Sequence, residues 1–193
     1  MHINIPLREP LYNLTDEKVA LPKVIEFEKP QYTLAEKELQ QLGKTWQNSA
    51  KILIIAGGNK TKSKTLDNLL QNLSNQENVV VLKESISNVY GDNFIDQIDA
   101  NIEIIQANNL SNFTPDLVIT LGAGVVSKKI KFWLRNQDNL EHWHITKSFE
   151  HWDIFQCLSK VVQLDVSHFF EAISAYTFEK ESTYKKDWLA LNK

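Results

Sequence analysis

The chain has 193 residues, 42% of them hydrophobic and 10% aromatic, with a formal net charge of −3; this is enough apolar material for one substantial core and too little positive charge for general nucleic-acid binding. A single cysteine, Cys157, excludes an intrachain disulfide and a CxxC zinc site. No apolar run approaches the roughly 20 residues that span a bilayer, and MHINIPLREP lacks signal-peptide organisation, so the expectation is a cytoplasmic protein with no membrane or nucleic-acid partner.

Residues 2–6 read as a short strand, more natural as the end of a preceding domain than as a beginning. Pro6, Pro10, Pro22 and Pro30 then interrupt the chain so often that 7–31 reads as a surface connector. Thr33 and Glu36 have capping-box spacing, and Ala35, Leu39, Leu42 and Trp46 follow on one helical face. KILIIA at 51–56 is a buried strand ending in Gly57-Gly58, and Leu66, Leu69, Leu70 and Leu73 mark an amphipathic helix. A short strand at 79–82 comes next. Asp92 is placed to cap a helix carrying Phe94, Ile95 and Ile98, and 102–106 looks strand-like. Leu117, Val118, Ile119 and Leu121 form a strand covered on both faces, Gly122 and Gly124 allow a sharp turn, and Ser127 can cap a helix beginning at Lys128. Strands at 142–146 and 161–164 and a helix at 167–176 capped by Ser167 complete the pattern; 178–193 lacks clear periodicity and reads as a second connector. Strands alternating with helices at this spacing imply βαβ units. The expected fold is α/β, a three-layer αβα sandwich with a mainly parallel, Rossmann-like sheet.

Chemistry is less explicit. AGGNK at 56–60 joins a strand to a helix and could lay amides against a phosphate, but it is neither GxGxxG nor GxxxxGK[ST]; LGAG at 121–124 is equally incomplete. Lys128 and Lys129 open a helix whose N-terminus is already partly positive, where cations are unfavourable by roughly 0.3–1 kcal/mol. Either they belong with Lys131 and Arg135 to a solvated basic face, or they build a site for a carboxylate or phosphate. His142 and His144 alternate on one strand face without a third metal ligand, with His151 and Asp153 too loosely placed to supply one. Trp133, Trp143, Phe149, Trp152 and Phe155 read as packing, and Cys157 as a small buried hydrophobe. Spacing alone declares no catalytic constellation. It leaves open a free-standing dinucleotide- or phosphate-binding α/β module.

Three segments, HINIPLREPLY at 2–12, PDLVITLGAGVVSKKIKFWLR at 115–135 and EHWHIT at 141–146, together resemble the thiamine-diphosphate-dependent 2-succinyl-5-enolpyruvyl-6-hydroxy-3-cyclohexene-1-carboxylate synthase family of menaquinone biosynthesis. The resemblance covers the chain as an internal slice. It implies an end of the preceding domain and a linker at 1–31, a central α/β domain at 32–177, and a linker at 178–193 toward a C-terminal domain. It implies a transferase that decarboxylates 2-oxoglutarate and adds the resulting succinyl carbanion equivalent to isochorismate, homo-oligomeric when full length. Thiamine diphosphate and Mg²⁺ are then held by the N-terminal and C-terminal domains of the same enzyme, the latter through a GDG…N motif that Gly91-Asp92-Asn93 is not. No catalytic, cofactor or metal ligand is implied in this slice. Carried onto the serine-lysine-basic motif, the resemblance assigns Lys128 and Lys129 to substrate binding; where relatives carry arginine at the second position, lysine replaces a bidentate fork by a point charge.

Overall fold

The apolar runs become strands because each has a helix layer on both sides to bury it. In the computed structural model, which describes residues 33–148 and 153–192, the helices and strands in chain order are α1 (Glu36–Asn48), β1 (Ile52–Ala56), α2 (Lys64–Leu73), β2 (Val79–Lys83), α3 (Ile98–Ala107), β3 (Leu117–Leu121), α4 (Lys128–Arg135), β4 (Glu141–Thr146), β5 (Leu158–Gln163), α5 (Val166–Ile173) and α6 (Tyr184–Leu191). The strand expected at 2–6, the connector at 7–31, and Phe149, His151 and Trp152 lie outside the described residues.

Among the described residues all five strands are parallel, in the order β2-β1-β3-β4-β5. Every residue of β1 and β3 is buried, as a central parallel strand requires. Alternation along the strands divides the core. Ile52, Ile54, Ile119, Trp143 and Ile145 meet Leu42 and Trp46 of α1, Leu70 of α2 and Phe169 and Phe170 of α5. Leu53, Ile55 and Val118 meet Ile102 of α3, Trp133 and Leu134 of α4 and Trp188 of α6 on the other face. Right-handed crossovers account for this split, because the chain steps one way from β1 to β2 and then reverses toward β3 and β4. The expected three-layer αβα sandwich is therefore the observed fold.

Several local expectations are corrected. Ile98, Ile102 and Ile105 are buried at i, i+4 and i+7 on a helix; the strand-like look of 102–106 came from Ile104, which faces outward at 40% exposure. Phe94 and Ile95 precede that helix, and Ile95 bridges to Leu82 along the outer edge of β2, where its N–H donates to the Val81 carbonyl at 2.9 Å. Helix α1 has Ala35 at its N-cap position with no side-chain cap, so Thr33 does not serve. Asp165 rather than Ser167 caps α5, accepting from the Ser167 and His168 amides at 2.9 and 3.3 Å. The 178–193 stretch contains α6, and its Tyr184 and Trp188 are core residues. Among the described residues no helix is long and apolar enough to cross a membrane.

Candidate functional site

The strand order changes direction between β1 and β3, the place where open α/β sheets usually bind ligands. Here the chain closes that crevice with its own backbone. Gly58 and Ala123 form an antiparallel bridge; the Gly57 N–H donates to the Leu121 carbonyl at 2.9 Å and the Ala123 N–H to the Gly58 carbonyl at 2.7 Å. Glycine is needed for this approach, because a Cβ on Gly57 would lie 2.1 Å from the Ala123 carbonyl oxygen, and Gly122 turns with φ +79°. The Asn59 N–H donates to the Ile86 carbonyl at 3.1 Å, and the Asn59 side chain to the Ser87 carbonyl at 2.9 Å. Three of the amides that a phosphate could use, those of Gly57, Asn59 and Ala123, are thus engaged with carbonyls of the same chain.

At the next strand pair, a cavity of about 660 Å³ opens beyond the carboxyl ends of β3 and β4, lined by Gly122, Gly124, Lys131, His144, Thr146 and Ser148 among others. Its floor is a short polar chain. Because His142 and His144 share a strand face, both reach the Thr120 hydroxyl, through Nε2 and Nδ1 respectively, each at 2.9 Å. A hydroxyl has one proton, so it can donate to only one ring while accepting from the other. His142 is buried against the Phe155 ring, 5.1 Å between centroids. Burial first, and then His144, pull its pKa from 6.5 down to about 4 against the opposing pull of Asp153. It is a neutral core histidine, whereas His144 faces the cavity. Among the described residues no three His, Cys, Asp or Glu side chains are grouped as a metal would require. Cys157 is half-buried, and burial followed by Asp153 pushes its thiol up to about 11.

The serine-lysine-lysine start of α4 follows Val125 of the cavity wall without itself lining the cavity. Ser127 caps the helix as its position suggested, its Oγ accepting from the Ile130 N–H at 3.2 Å. The same hydroxyl donates to Asp99, and the Lys129 ammonium pairs with Glu103, both acids on α3. Oε1 of Glu84, at the end of β2, accepts from the Val126 and Ser127 amides at 2.9 Å each. Acids from outside the helix therefore hold its first turn, and one of them, Glu103, neutralises Lys129, one of the two cations that seemed misplaced at a helix N-terminus. Lys128 is exposed and has no ion-pair or hydrogen-bond partner among the described residues. Lys131 lines the cavity, and Arg135 donates from Nε to the Ile154 carbonyl at 2.9 Å. Sequence reasoning found the lysines but missed Glu84, Asp99 and Glu103. The one available signal was the uncompensated charge itself, since partners 26 to 43 residues away follow no local spacing.

These features define a doubly wound α/β domain whose switch point is closed by its own backbone and whose helix α4 lends Lys131 to a cavity at the neighbouring strand pair. No protein-family model matches the chain. It is similar over 184 residues to two proteins described as 2-succinyl-5-enolpyruvyl-6-hydroxy-3-cyclohexene-1-carboxylate synthase. The one from Flavobacterium johnsoniae is 32% identical and the one from Flavobacterium psychrophilum 34%, and each match takes in 95% of this chain and 33% of the relative. The synthase of Bacteroides thetaiotaomicron is 28% identical over 197 residues, 97% of this chain and 34% of that protein. The chain is similar to these synthases along nearly its whole length and spans about one third of the length of the curated relatives it matches.

Proposed function

We propose that the chain is the central domain of such a synthase, and that Lys128, with Lys129 beside it, meets a carboxylate of isochorismate at the edge of a cleft completed by the N-terminal and C-terminal domains. The observation that carries this reading is the exposed ammonium of Lys128, without a partner among the described residues, at a fixed helix start, in a chain similar along 95% of its length to these enzymes. Val126 and Phe132, 58% and 62% exposed on either side of Lys128, support it as apolar surface suited to cover by another domain. In this reading 1–31 leads in from the preceding domain and the chain beyond α6 leads toward the C-terminal one. The full-length enzyme is a homo-oligomer.

Thiamine diphosphate with Mg²⁺ supplies the decarboxylation of 2-oxoglutarate in the whole enzyme. The described residues do not fit that group: no three metal-ligating side chains converge, and the Gly57, Asn59 and Ala123 amides of the glycine turns already donate to chain carbonyls. This chain's part is accordingly to bind and orient the acceptor, not to form or stabilise the carbanion. The same engaged amides weigh against a dinucleotide-binding module.

In the full-length enzyme, Lys128→Ala is expected to raise the KM for isochorismate about tenfold, with a smaller change in kcat, as the loss of one charge-assisted contact predicts. Lys129→Ala should act less, since its ammonium is already engaged by Glu103. Steady-state kinetics against isochorismate checks both, and a KM unmoved after replacing the two lysines together would assign the domain a purely architectural role. The chain alone, given thiamine diphosphate, Mg²⁺ and both substrates, should release no carbon dioxide; turnover by it would defeat the proposal.

A further inference from the structure

We propose that Glu84 is a positioning residue for the substrate-binding helix start, an internal anion that fixes where Lys128 stands; the inference rests on the substrate reading of Lys128. Glutamates are among the side chains least often buried without a partner, yet Glu84 is only 9% exposed and has no ion pair among the described residues. Its Oε1 takes two amide hydrogen bonds instead, from Val126 and Ser127, both at 2.9 Å. Those amides close the loop that begins at Gly122 and ends at the N-cap of α4. Glu84 is itself held firmly: its N–H donates to the Ala56 carbonyl at 3.0 Å, and its carbonyl accepts from the Ser87 N–H at 2.9 Å. One residue, through its backbone N–H and its side chain, therefore ties the carboxyl ends of β1 and β2 to the start of α4.

The chemical consequence concerns what an arriving anion can touch. A free helix N-terminus offers backbone N–H groups to a carboxylate. Here Glu84 occupies the Val126 and Ser127 amides, while the Ser127 hydroxyl accepts from Ile130 and donates to Asp99. A substrate carboxylate is thereby kept from the Val126 and Ser127 amides and meets the helix at Lys128, whose origin Glu84 sets. Removing the glutamate should loosen the loop and misplace the lysine without touching the reacting atoms.

The test uses the full-length synthase with Glu84→Ala, Glu84→Gln, Lys128→Ala and the Glu84→Ala/Lys128→Ala double variant. Glu84→Ala is expected to raise the KM for isochorismate about tenfold with kcat within about twofold. Glu84→Gln, whose amide oxygen can still accept both N–H groups, should recover most of that loss. In the Lys128→Ala background Glu84→Ala should add little, because the two act as one unit. An unchanged KM in Glu84→Ala, or an effect equally large with and without Lys128, overturns the proposal. Amide exchange at Val126 and Ser127 in the 193-residue chain separates the two ideas. If Lys128→Ala leaves the KM unmoved, the substrate reading fails by itself. Exchange accelerated by Glu84→Ala and restored by Glu84→Gln then still supports loop positioning, and unaltered exchange overturns that as well.

Discussion

His142 has a protonation state set by its surroundings. The folded value of about 4 against an ordinary 6.5 means that the native ring resists a proton which the unfolded chain accepts. Stability from this group is complete above pH 6.5, is lost as pH falls from there toward 4, and levels off below. The shift corresponds to an amount on the order of 3 kcal/mol. Urea unfolding of the wild type and of His142→Asn at pH 7 and pH 4.5 checks it: the variant should lose less stability between the two, and equal losses would remove His142 as the cause. Cys157 gives a second reading at this scale. Its thiol, raised to about 11, should alkylate with iodoacetamide much more slowly at pH 7.5 than a free cysteine, since the thiolate is the nucleophile.

At the scale of elements, α4 shows how local rules and tertiary partners divide the work. Ser127 is both a cap for Ile130 and a donor to Asp99, so Ser127→Ala should lower stability by about 1 kcal/mol or somewhat more, measurable as a shift in the denaturation midpoint at unchanged slope. Much of this scale was legible in the sequence. The strands of 52–56, 79–82 and 117–121, the Leu66–Leu70–Leu73 helix and the Ser127 cap follow from period, burial and capping chemistry. The misreadings have physical reasons. Thr33 had cap spacing, but the helix starts later, after an extended Ala35; Asp165 outcompeted Ser167 because its carboxylate reaches two amides at once. Ile104 disguised α3 as a strand. In the candidate site, Lys128 and Lys129 were visible as an electrostatic anomaly, whereas the acids that hold this helix start, Glu84, Asp99 and Glu103, lie 26 to 43 residues earlier in the chain, beyond the reach of any periodicity.

For the whole molecule, the decisive question is where the folding unit ends. A boundary at residue 177 treats the rest, charged and without clear periodicity, as a linker. Yet Tyr184 and Trp188, four apart on α6, are 2% and 0% exposed. Trp188 meets Phe113 and Trp133 edge-on at centroid distances of 5.4 and 6.4 Å, and the Tyr184 hydroxyl donates to the Phe113 carbonyl at 3.3 Å. Lys185 fastens the helix start to the turn before β2, its N–H on the Glu77 carbonyl at 3.0 Å and its ammonium on the Glu77 carboxylate at 2.9 Å. The charges that hid this helix are thus partly its anchors. Burying a tryptophan this completely contributes about 3–5 kcal/mol by the cost of its removal, against a total of roughly 5–15 kcal/mol for a domain. Trp188→Ala should therefore lower the melting temperature sharply, and a chain ending at residue 177 should be marginal or unfolded, because one face of the sheet would lose part of its cover. Circular dichroism melts of the three chains decide it: a truncated chain that melts cooperatively at the wild-type temperature would restore the linker boundary, while its collapse would make α6 part of the unit that holds Lys128 in place.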